Sequence, residues 1–276
     1  MGLNFLARVR EAVNFWRAPP VYHLEAFAHH DHIYRYDVLQ DYEEEHLSLR
    51  SAVPRSSQPQ TEEVFTPHFE SLCVEIRRKT GDAVRAITAS NAPEAAERMA
   101  FCWFAATYLM QVPWDVYIED DFEEEVHKRI RQLRAHDDHV HEALESEGYL
   151  SSLTEDEERL YKVMLMRAGD LFLMHWSRLY APTEESYITA DMPALVIDSG
   201  DGRECHWRHA RAEVTLPLSP NLLLLAGWNN ELDYTVNVSA KTVRRHRFAH
   251  AYYAKRYIYA ATPMPELIRN LRAVHL

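Results

Sequence analysis

Ala194-Leu195-Val196-Ile197-Asp198-Ser199-Gly200-Asp201-Gly202 is a β-prone run that stops in a cluster of turn residues. Residues 185–227 repeat this alternation, which predicts several short strands and at least one hairpin. The flanking sequence reads differently. Thr66-Pro67, Asn91-Ala92-Pro93-Glu94 and Thr154-Glu155-Asp156-Glu157 are helix starts, with a polar cap followed by a first-position proline or by an acid three residues on. Residues 99–110 are apolar nearly all round, the mark of a buried helix, and Pro113 would end it. Phe122, Val126, Ile130, Leu133, Val140 and Leu144 form one stripe with a polar interruption near Asp137, which predicts a half-exposed helix. Residues 160–179 predict a further apolar helix carrying Met174 and Trp176. After the strands, residues 242–253 read as a basic, aromatic helix, 257–261 as a strand and 265–274 as a closing helix.

Near the start, residues 32–37 read as a strand, and the polar segment 41–66 as a mobile loop. Helices followed by strands predict an α+β fold: helix-rich, with central helices, then a small, mostly antiparallel sheet and C-terminal helices. The N-terminal strand is expected to join that sheet. A chain of 276 residues can bury roughly 70 to 75% of its unfolded surface, and a single domain over 1–276 is the simplest expectation.

Composition narrows the function. Only 7 glycines argue against Gly-rich phosphate loops, and a formal charge of −12 disfavours general nucleic-acid binding. Sixteen histidines make the chain histidine-rich; protonating all of them would turn its charge positive, so acid sensitivity is expected. Cys73, Cys102 and Cys205 are far apart and form no Cys-x-x-Cys pair, which fits a reducing compartment. No signal peptide and no apolar run of membrane-spanning length is visible, so a soluble, cytoplasmic protein is expected.

The signatures of dinucleotide enzymes, P-loop NTPases, zinc proteases and α/β-hydrolases are absent from the sequence. Glu213-Val214-Thr215 also lacks the lysine a restriction-type nuclease site would need after Asp191. Asp191, at a strand end before Pro193, is the candidate functional acid; its alternative role is to cap the turn by accepting backbone N–H bonds. His23 is the partner for an acid–base pair. His29-His30-Asp31-His32 could hold a metal, but neighbours in a strand point to opposite faces, and a solvated turn is the commoner use. His136, Asp137, His139 and His141 share helical faces without a nominated third ligand. No metal site and no cofactor is assigned.

Arg244, Arg245, Arg247, Lys255 and Arg256, interleaved with Phe248, Tyr252, Tyr253 and Tyr257, are the one concentrated basic and aromatic segment of an acidic chain. Guanidinium forks match phosphate or carboxylate, and aromatic rings stack on bases. In the competing reading these cations pair with the chain's own acids, such as Glu123 to Glu125, and the rings face the core. Two functions follow: a module binding a protein partner or small anionic ligand at this helix, or a hydrolase of phosphoesters or nucleotides using Asp191 and His23.

Three blocks carry a resemblance. Pro20-Val21-Tyr22-His23-Leu24-Glu25-Ala26-Phe27 leads into a strand ending in Tyr36-Asp37; Tyr187-Ile188-Thr189-Ala190-Asp191-Met192-Pro193 and Leu216-Pro217-Leu218-Ser219-Pro220 follow in order. The chain thereby resembles the proteins grouped as domain of unknown function 4238, a family to which no activity is assigned. The resemblance implies that Pro20, Leu24, Phe27, Tyr36, Asp37, Asp191, Pro193 and Pro217 belong to the family pattern. Arg17 stands where the family has a leading histidine, and Ala190-Asp191-Met192 replaces its Ser-Asp-Asn.

Overall fold

A computed structural model describes residues 24, 26–28, 32–52, 68–69, 71–76, 78–80, 95–109, 122–135, 139–200, 203, 205, 209–229 and 235–275. Pro20, His23, His29, His30, Asp31, His136, Asp137 and the caps at Thr66 and Asn91 lie outside them. The chain divides into two compact units. The described residues of one lie within 58–173, and those of the other within 17–57 and 174–276.

The first unit is helical: α2 (Ala95–Leu109), α3 (Phe122–Arg134), α4 (His139–Ser146) and α5 (Glu155–Leu173). Helix α5 begins at the expected capping box: the Thr154 N–H donates to Glu157 Oε2 at 2.9 Å, and the Glu157 N–H to Thr154 Oγ1 at 3.4 Å. Four acids in its first turn face the positive end of the helix dipole. Helix α2 buries Trp103, Phe104 and their neighbours, as its all-round apolarity requires.

Two expectations change here. The stripe from Phe122 to Leu144 is carried by two helices, α3 and α4, because the polar interruption separates them. The helix expected over 160–179 ends at Leu173, and His175–Tyr180 is strand β3. Between Leu171 and Leu179 no Gly or Pro marks the change, so periodicity alone does not tell helix from buried strand there.

The second unit holds the strands, and they form two sheets. The four-stranded sheet has the order β2 (Glu43–Ser48), β1 (His32–Asp37), β9 (Tyr257–Ala260), β4 (Thr189–Ala190). The five-stranded sheet has the order β5 (Leu195–Asp198), β6 (Ala212–Ser219), β7 (Leu222–Gly227), β3, β8 (Thr235–Asn237). All pairings are antiparallel except β3 with β8. The N-terminal strand β1 does join a later strand, β9, with Tyr36 opposite Ile258. The fold is therefore α+β.

Strand β2 and the helical turn α1 (Leu49–Ala52) fall within 41–66, the segment expected to be a mobile loop. The reading missed them because β2 is a solvated edge strand, Glu-Glu-Glu-His-Leu-Ser, without the alternation that a buried face imposes. Residues 53–66 are not among those described.

Helix α6 (Ala240–Tyr252) starts at Ser239, whose hydroxyl accepts the Thr242 N–H at 3.2 Å. It packs Val243 against Leu179, Tyr187, Leu223 and Leu225, and Ala249 against Leu195 and Ile197, so it covers one face of the five-stranded sheet. Helix α7 (Pro265–His275) lays Leu267, Ile268 and Leu271 over Tyr36, Ile258 and Ala260 of the four-stranded sheet. The other face of that sheet carries Ile33 and Tyr259, packed with Leu24 and Phe27. Pro217 can sit in a central strand because a register shift follows it, between Pro217 and Ser219, where the ladder is already interrupted.

Candidate functional site

Two of the family-pattern residues, Asp191 and Asp37, meet at the link between α6 and β9. Asp191 is 1% exposed. Its Oδ1 accepts the Lys255 N–H at 3.0 Å, and its Oδ2 accepts those of Arg256 at 2.7 Å and Tyr257 at 3.2 Å. The Asp191 N–H in turn donates to the Tyr257 carbonyl at 2.9 Å. Burial pushes the Asp191 carboxyl above its ordinary range, and the backbone N–H groups pull it back in part. With both oxygens engaged by main-chain donors, the arrangement is that of an anchor for residues 255–257, the turn-capping role at longer range.

Asp37 approaches the same link from β1. Its Oδ1 caps the following turn by accepting the Leu39 N–H at 3.0 Å, and its Oδ2 meets Arg256 Nε at 3.2 Å. The Val38 N–H donates to the Arg256 carbonyl at 2.7 Å. Arg256 lies over the Tyr257 ring at 4.8 Å, and Arg35 lies over it at 4.7 Å while bonding Glu45 at 2.8 Å. Tyr36 accepts the Met264 N–H at 2.8 Å, tying β1 to the start of α7. The third block joins by its turn: the Pro220 carbonyl accepts the Tyr187 N–H at 2.7 Å, and that of Asn221 the Ala181 N–H at 2.9 Å. Ala190 and Met192, which replace the family's polar residues, are buried. Pro193 and Pro217 are buried too.

The basic segment is split by its partners. Arg244 and Arg247 share Glu185 at 3.3 and 3.0 Å, and Arg247 also donates to the Ser186 carbonyl. Glu185 is thus an acid facing them, while the side chains of Glu123 and Glu125 lie outside the described residues. Arg245 is exposed and donates to the Ser199 carbonyl at 3.1 Å. Lys255 is exposed, and so is Tyr252, at 40%, with its ring stacked on Phe248 at 6.0 Å and edge-on to Tyr253 at 5.1 Å.

Beneath α6 lies a polar layer that the sequence reading did not single out. His250 Nε2 and Thr215 Oγ1 are 3.1 Å apart and fully buried. His246 is 4% exposed, and burial together with Arg245 lowers its imidazole to about 4. Burial raises Glu213, with Arg245 opposing. The signal was in the spacing: His246 and His250 are four apart, facing inward on a helix that was read for its cations.

In the helical unit, Arg129 pairs with the buried Asp170, and Arg167 donates to the Leu109 carbonyl. A Cβ on Gly169 would sit 2.9 Å from Arg129 Cδ, so glycine leaves the room this pair needs. His141, on the helix expected to be half-exposed, is buried and bonds Tyr161 through Nδ1. Among the described residues, no group of three or more His, Cys, Asp or Glu is placed to hold a metal ion, and no helix is long and apolar enough to cross a membrane.

Two sheets covered by helices, with the buried Asp191 holding the main-chain N–H groups of the link that leads from α6 into β9, define an α+β protein. The chain belongs to the family described as Protein of unknown function (DUF4238), whose model matches residues 20–262. No curated protein and no solved structure matches it.

Proposed function

We propose that the chain is a cytoplasmic binding module that takes an anionic ligand or partner at the C-terminal end of α6. The carrying observation is Tyr252, an aromatic ring 40% exposed at the end of a helix and held by Phe248 and Tyr253, with exposed Lys255 three residues further along the chain. A ring fixed in this way offers a stacking surface at little entropic cost, and the ammonium supplies charge beside it. Arg245, two turns earlier on α6, adds a second exposed cation, whereas Arg244 and Arg247 already face Glu185. Asp191, as a main-chain anchor, holds the following segment in place and so fixes where Lys255 stands.

Equilibrium titration with a nucleoside triphosphate, which offers both a base to stack and phosphates to pair, tests this reading. Tyr252→Ala and Lys255→Glu should each weaken binding about tenfold, the size of losing one stacked base or one charged hydrogen bond. Arg269→Glu, on the exposed side of α7, should leave it unchanged. Equal affinities in all three variants, or no binding by the parent chain, would overturn the reading.

A further inference from the structure

We propose that His32 and His46 form a binding site for a borderline divalent cation of the Zn2+ type on the outer strands of the four-stranded sheet. Strands β1 and β2 pair with Tyr34 opposite His46 and His32 opposite Ser48. The two histidines are therefore diagonal neighbours on one face, at a separation long side chains span. Their ring centroids are 5.1 Å apart and their planes are inclined by 38°.

That separation matches two imidazoles on one ion. A zinc–nitrogen bond of about 2.0–2.1 Å, plus about 1.1 Å from the nitrogen to the ring centre, puts each centroid about 3.2 Å from the metal. A tetrahedral angle then sets two such centroids about 5 Å apart. The sheet thus holds the rings near the spacing of the bound state, so little freedom is lost on binding. Tyr34, stacked on His46 at 4.5 Å and 18°, fixes one of the two rings further. Both histidines are exposed, so an ion reaches them without any opening of the fold.

No third His, Cys, Asp or Glu among the described residues completes the set. Glu44 shares the face, but it is hydrogen-bonded to the Tyr36 hydroxyl. Water takes the positions that the described residues leave, and a further ligand from solution can enter there. Imidazole ligands favour Zn2+, Cu2+ and Ni2+ over Mg2+ and Ca2+, so the harder cations should not compete.

Calorimetric titration of the full chain with Zn2+ at neutral pH tests the site. His32→Gln and His46→Gln should each remove one equivalent of binding or weaken it at least tenfold. Tyr34→Phe, which keeps the stacked ring, and His139→Gln, on the exposed face of α4, should retain it. Circular dichroism of each variant separates loss of the site from loss of the fold, which substitutions at two exposed positions should not cause. Absence of Zn2+ binding by the parent chain, or undiminished binding by His46→Gln, would overturn the proposal.

Discussion

The two units bury charge in different ways. In the helical unit Asp170 faces a guanidinium, Arg129, whereas in the sheet unit Asp191 faces three main-chain N–H groups. The difference follows from the backbone. Inside a helix every N–H is already bonded four residues back, so a carboxylate buried on α5 can be neutralised only by a side chain. Where a helix ends and a strand begins, N–H groups are released in succession, and one carboxylate can collect them. A buried charge therefore ties side chain to side chain in the first unit, and side chain to chain path in the second.

Exchanging each carboxylate for an amide should expose this contrast. Asp170→Asn leaves Arg129 without its counter-charge in a buried setting and should cost about 3–5 kcal/mol, read by urea unfolding. A loss below about 1 kcal/mol would mean that water or another acid reaches Arg129.

Acid should act next, and mainly on the sheet unit. His246 is held neutral in the fold, with its imidazole lowered to about 4. Below pH 6.5 the unfolded chain takes up a proton that the folded chain refuses, so stability falls as pH drops from 6.5 towards 4, by about 3 kcal/mol. Glu213, raised by burial, acts in the opposite sense and softens the loss, because the folded state prefers its protonated form. His246→Leu should flatten the pH dependence over that window. An unchanged slope in the variant would place the acid sensitivity elsewhere.

Asp191→Asn is expected to cost less than the exchange at Asp170, about 2 kcal/mol. The amide oxygen still accepts one or two of the N–H groups, while its NH2 opposes the rest. Equal losses at the two positions would remove the contrast. The smallest effect belongs to the surface pairs: Arg244→Ala, at a side chain 60% exposed, should change stability by less than about 1 kcal/mol, and less still in high salt.

Much of this architecture is legible in the sequence, and the limits are physical. The helix starting at Thr154 is written in its capping box, and strand β1 in Ile33, Tyr34 and Tyr36. The capping role of Asp191 could be read from its place before Pro193, but its donors lie 64 to 66 residues away and no local pattern points to them. Strand β2 stayed hidden because its three glutamates obey solvent and not a core. Reading residues 160–179 as an apolar helix does not single out Arg167 and Asp170. In so apolar a stretch two charges three residues apart are themselves a sign of buried pairing, yet Arg129 could be named only once α3 was seen beside α5. The candidate site followed the same rule: the basic segment was visible as composition, whereas its division between Glu185 and solvent depends on where residue 185 returns in space.

The claim that Asp191 holds the path of the chain is tested most directly by amide hydrogen exchange at Lys255, Arg256 and Tyr257, compared between the parent chain and Asp191→Asn. The account predicts protected amides in the parent and exchange at least tenfold faster at these three positions in the variant. Exchange rates there that do not change would contradict it, and would return the buried carboxylate of Asp191 to the list of groups available for chemistry.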